Sequence, residues 1–62
     1  MDMNKIEYNA PVYLKNGEMG LVIRFDYTRR ELGIQIPDEK DIKWINVDNF
    51  KDVGGSTALR EI

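Results

Sequence analysis

The chain has no cysteine and no histidine among its 62 residues. Without thiols there are no disulfide staples and no thiolate nucleophile. Without imidazole as well, the usual zinc ligand sets and the commonest general base are excluded. Proline occurs only twice, and no apolar run approaches the roughly 20 residues that a membrane-spanning helix requires. The opening Met1-Asp2-Met3-Asn4-Lys5 has no apolar core of the kind a secretory signal carries. A small domain that needs no disulfides suits a reducing compartment, so the expected location is the cytoplasm, with no membrane partner. Nine basic residues against eleven acidic ones leave a net charge of −2, which exerts no overall pull on a polyanion.

The composition is that of an ordinary folded chain, because 42% hydrophobic residues are enough to form a core and 32% charged residues enough to solvate it. At this length the expectation is one domain, burying about 60% of its unfolded surface. The stretch around which the rest is organised runs from Glu18 to Tyr27. In it Leu21, Ile23, Phe25 and Tyr27 share one parity, and Arg24 and Asp26 take the other. Alternation of β-branched and aromatic residues with charged ones predicts a half-buried strand. Val22 breaks the pattern. One account is a strand that changes its inward face partway, through a bend or bulge near residues 20–23 helped by Gly20, so that it serves both halves of a small barrel. The other is a straight strand in a meander.

The remaining signals are short. Residues 1–11 lead in as a brief strand or a loop laid on the core, and Pro11 suits the first position of a strand over 12–15. Asn16-Gly17 predicts a tight turn into the long strand. A polar loop over 28–31 precedes a strand over 32–36, where Leu32, Ile34 and Ile36 alternate with Gly33 and Gln35. Pro37 opens a turn in which Asp38 and Asp41 are placed to bond local backbone. A strand over 42–47 leads to a single 3₁₀ turn at Asp48-Asn49-Phe50 and a closing strand over 51–53. The expected domain is therefore 1–53. Gly54-Gly55-Ser56-Thr57 ends it, and residues 54–62 read as a tail with at most one helical turn.

This order of elements resembles the SH3-like small β-barrel, the architecture shared by SH3, Tudor, KOW and CAP-Gly domains. The residues that carry it are Asn16-Gly17, Gly20-Leu21-Val22, the loop after Tyr27, the strand over 32–36, and Trp44 through Phe50. The resemblance spans about residues 6–53 and implies an all-β, five-stranded barrel with a 3₁₀ turn before its last strand. The chain departs from peptide-binding SH3 domains, having no Ala-Leu-Tyr-Asp-Tyr-like opening and no tryptophan pair. It also lacks the aromatic cage of methyl-lysine-reading Tudor domains. A looser similarity, through the Asn-Gly-x-x-Gly spacing of Asn16 to Gly20, is to the small SH3-like insertions of some helicases.

Asp38, Glu39 and Asp41 are the densest carboxylates, but they flank a proline turn together with Lys40, where solvation is their ordinary role. Their spacing is not that of a calcium loop. Residues 17–20 are not a phosphate loop, because no Lys-Ser/Thr follows. No catalytic, cofactor or metal residue is therefore assigned. The expectation is a non-catalytic module that binds a protein partner through Tyr13, Tyr27, Arg29, Arg30 and Trp44. Tyr13 opposes Val12 and Leu14, and Trp44 faces outward if Ile45, Val47 and Phe50 face inward. The alternative is a nucleic-acid-associated SH3-like domain of a helicase, transcription or phage accessory type, in which these aromatics stack bases and Lys15, Arg24 and Lys43 join the two arginines on phosphates.

Overall fold

A computed structural model describes residues 1–53 and 57–62 of the chain. Its six strands are β1 (Pro11–Tyr13), β2 (Met19–Asp26), β3 (Glu31–Gln35), β4 (Lys43–Asn46), β5 (Phe50–Asp52) and β6 (Leu59–Glu61). They form one sheet in the order β4-β3-β2-β1-β6-β5. The two edge strands, β4 and β5, are joined directly by the 3₁₀ turn Val47–Asn49. A sheet whose opposite edges are linked by three residues has to curl back on itself, and the fold is an all-β half-barrel.

The bend in β2 lies where the alternation breaks. Val22 pairs with Ile34 and Arg24 with Gly33, so Ile23 is the extra residue of a bulge. Before the bulge the inward residues are Gly20 and Val22, and after it Phe25 packs on the core. This is the bulged account of the break at Val22, and not the straight strand: the bulge reverses the parity, leaving Leu21 exposed and Ile23 half-buried. Val12, Val22, Leu32, Ile34 and Val47 are fully buried and come from β1, β2, β3 and the 3₁₀ turn.

Two glycines serve different ends. Gly17 adopts φ +90° in the turn between β1 and β2, where its N–H donates to the Leu14 carbonyl at 3.0 Å. Asn16 accepts the Glu18 N–H on its side-chain oxygen at 2.9 Å. Gly20 instead permits close approach, for a Cβ there would lie 2.6 Å from Ile34 Cγ2 and 2.8 Å from the Gln35 carbonyl oxygen. At the Pro37 turn the third residue, Asp38, takes φ +71°, and the Glu39 N–H donates to the Ile36 carbonyl. These are the features of a type II turn. Its side-chain support comes from the Gln35 amide, which donates to the Glu39 carbonyl at 2.7 Å, rather than from Asp38 or Asp41.

The chain's two ends revise the expected boundaries. Residues 3–5 form a 3₁₀ turn capped by Asp2, and its Met3 is buried in the core. The expected tail is corrected at residues 59–61, which form β6 and insert between β1 and β5. β6 runs parallel to β1 through Val12↔Leu59 and antiparallel to β5 through Lys51↔Arg60. The sheet has six strands instead of five for this reason, and the strand after the 3₁₀ turn is an edge. Leu59 decides the matter physically: it is 2% exposed, and burial of a leucine stabilises by about 1.5–3 kcal/mol. The expected end of the fold at Gly54-Gly55-Ser56 lies outside the described residues.

Candidate functional site

The five residues singled out from the sequence occupy three places. Tyr13 and Trp44 lie on the outer face of the sheet, away from the core, and are 42% and 47% exposed. They are not adjacent, since β2 and β3 run between their strands. Tyr27 shares the parity of core-packed Phe25 and stacks on it, with ring centroids 6.0 Å apart and planes 14° from parallel. It therefore covers the inner side of the β2–β3 hairpin. Arg29 sits in that hairpin, its N–H donating to Asp26 Oδ1 at 3.0 Å and its carbonyl accepting from the Asn46 amide.

Arg30 has a structural partner. Its Nη2 donates to Asp48 Oδ1 at 3.0 Å and to the Met1 carbonyl at 3.1 Å, tying the hairpin to the 3₁₀ turn and the leading segment. The hydrogen bond from Arg30 holds the Asp48 carboxyl below its ordinary range against an opposing desolvation, with the charges of Arg30 and the amino terminus adding to it. A carboxyl lowered by folding stabilises the fold above the unfolded value, near 3.9, and ceases to do so as pH falls through the folded value. Asp48→Asn is therefore expected to lower the urea midpoint slightly at neutral pH and to match the parent in acid, once Asp48 of the parent is protonated in both folded and unfolded states. Equal midpoints at neutral pH, or a gap that widens in acid, would contradict this assignment. The effect is small because the pair is exposed.

Around Tyr13 the sheet assembles residues that no single stretch of sequence brings together. Tyr13 pairs with Met19 on β2 and with Arg60 on β6, and Arg60 pairs with Lys51 on β5. All four are exposed, and each follows or precedes a buried neighbour, so the rung Met19–Tyr13–Arg60–Lys51 crosses the outer face of four strands. Leu21 extends it along β2 and is 39% exposed. Around Trp44 the surface is different. Its partner is Gly33, where a Cβ would lie 2.7 Å from Arg24 Cβ and 2.9 Å from Ile42 Cγ2, so the arginine stem and the isoleucine close over the glycine. The Val47 N–H donates to the Arg30 carbonyl, and the antiparallel alternation then turns the backbone N–H and C=O of Trp44 toward the open edge of β4.

The chain matches no protein-family profile, no curated protein and no solved structure. Function has therefore to be argued from this surface. Met19, Leu21, Lys51 and Arg60 were not singled out from the sequence. The hairpin at Asn16-Gly17 was the signal that placed Met19 across from Tyr13. Arg60 and Lys51 gave none, because their pairing depends on β6. Elsewhere, a cleft of about 250 Å³ is lined by Met1, Asp2, Lys5, Ile6 and Asp52. Among the described residues no group of three or more acidic side chains is gathered as a metal site, and no helix is long and apolar enough to cross a membrane.

Proposed function

We propose that the chain is a small non-catalytic binding module, an SH3-like barrel working in the cytoplasm, that engages a protein partner through the outer face of its sheet. The observation that carries this reading is the exposure of Tyr13, Met19, Leu21 and Trp44 on one face of one sheet. Tyr13 and Met19 are direct cross-strand partners and Leu21 lies two residues along, so the apolar area is continuous rather than scattered. Buried aromatic anchors with a polar rim are how protein interfaces concentrate their energy, and the open edge of β4 beside Trp44 adds a strand for an extended segment to pair with. The SH3-like assignment is supported by the curled sheet and by the 3₁₀ turn that joins β4 to β5. The parallel β1–β6 pair sets this chain apart from the five-stranded pattern.

Nucleic acid is the competing class. The net charge of −2 and the commitment of Arg30 to Asp48 weigh against it. Affinity capture from the source cells with the parent chain and with Tyr13→Ser/Met19→Ser separates the two. The expected result is a protein recovered by the parent, insensitive to nuclease, and lost with the double variant. Recovery that nuclease abolishes, or that both chains give alike, would overturn the proposal.

A further inference from the structure

The rung beside Tyr13 carries charge of one sign. Lys51 and Arg60 are direct cross-strand partners, and like charges placed opposite one another work against a sheet. The neighbouring carboxylates do not relieve them. Glu61 accepts the Lys15 N–H at 3.0 Å, and the Glu18 carboxylate is bound by the Asn16 amide. Asp52 lines the cleft formed with Met1, Asp2, Lys5 and Ile6. The ion pairs among the described residues are both made at Asp48, with the Met1 amino group and Arg30, and involve neither Lys51 nor Arg60. A chain with more acidic than basic residues thus presents, on the outer face of β2, β1, β6 and β5, two exposed cations beside an exposed tyrosine and methionine.

We infer that the Met19–Tyr13–Arg60–Lys51 rung is a docking site for an extended acidic segment of a partner protein, with an apolar side chain against Met19 and Tyr13 and carboxylates against Arg60 and Lys51. The inference rests on the protein-partner reading above and adds the chemistry of the partner. Its geometry fits. Three strand spacings separate Met19 from Lys51, roughly 14 Å, and an extended chain carries its i, i+2 and i+4 side chains on one face over about 13 Å. One apolar residue followed by two acidic ones at alternate positions therefore spans the rung. Charge complementarity selects this occupant: aliphatic area at Met19 and Leu21 suits a peptide side chain, and a lone tyrosine is a poor platform for successive bases.

The test is fluorescence anisotropy at low salt, with amide shifts recorded on the ¹⁵N-labelled chain. The probes are a labelled peptide about nine residues long with the core Leu-Ser-Glu-Ser-Glu, which puts one leucine and two glutamates on one face, the same peptide with glutamine for glutamate, and an oligothymidylate of similar span. The acidic peptide is expected to bind with shifts at Met19, Tyr13, Arg60 and Lys51, and the glutamine peptide about tenfold more weakly. Lys51→Glu/Arg60→Glu should weaken the acidic peptide by at least about tenfold while keeping a dispersed spectrum, both side chains being exposed. Equal binding of the two peptides at this rung would overturn the charge inference and leave the protein-partner reading in place. Tighter, salt-sensitive binding of oligothymidylate at the same residues would overturn both. An acidic peptide that does not bind, or shifts that arise from self-association of the free chain, would overturn the inference alone.

Discussion

Gly20→Val is expected to remove a third or more of the stability of this domain. Gly20 lies on the inner face of β2 opposite Val12, and its backbone is not in the left-handed region. The cost is therefore steric. A Cβ would meet Ile34 Cγ2 at 2.6 Å and the Gln35 carbonyl oxygen at 2.8 Å. The isoleucine methyl can turn aside, but the carbonyl belongs to the β2–β3 ladder, where Leu21 pairs with Gln35. Relief requires the two strands to separate at the centre of the sheet. Overpacking of a filled core costs about 1–3 kcal/mol, and two added methyl groups place valine at the upper end. A domain this size has only about 3–9 kcal/mol in total, so the thermal midpoint should fall by about 10–25 °C. Gly20→Ala should show a smaller loss of the same kind. Gly17→Ala provides the contrast: its Cβ meets open space, and its cost of about 1–2 kcal/mol is that of holding φ +90° without glycine. An unchanged midpoint for Gly20→Val would mean that β2 and β3 do not approach as closely as described.

The features legible from sequence are those whose cause is local. The Asn16-Gly17 turn, the Pro37 turn, the alternation of Leu32, Ile34 and Ile36, and the 3₁₀ turn before Phe50 each depend on residues within a few positions of one another. The bulge was legible as a break in parity at Val22. Which residues of β2 face the core on either side of it was not, because that depends on pairing with β3. The same limit applies to the surface. Trp44 and Tyr13 could be placed on the outer face from their buried neighbours, whereas the ion pair that occupies Arg30 required Asp48 from another element. Lys51 and Arg60 are brought together only by a strand of three residues, two of them charged, which follows a Gly-Gly-Ser-Thr run. Three residues are too few for an alternation to register.

That short strand gives the second large expectation: a chain ending at Ala58 should not fold cooperatively. β6 is the one strand that links β5 to the rest of the sheet, parallel to β1 on one side and antiparallel to β5 on the other. Its loss strips β1 and β5 of their shared neighbour and exposes the Val12 and Phe50 side of the core. It also removes the Ile62 N–H bond to the Asn49 carbonyl and the Glu61 contact with the Lys15 N–H. Leu59 alone accounts for about 2–5 kcal/mol if cut back to alanine at so buried a position, a large share of what a 62-residue fold holds. Leu59→Ala should accordingly lower the urea midpoint sharply while leaving a folded population, and the truncated chain should give a collapsed amide spectrum and no sigmoidal unfolding curve. Ile62→Ser, at an exposed position beyond β6, should leave the midpoint almost unchanged. A truncated chain that kept a dispersed spectrum and a cooperative transition would show that β1 to β5 close the core unaided. The Lys51–Arg60 rung would then be an addition to a finished barrel instead of part of its wall.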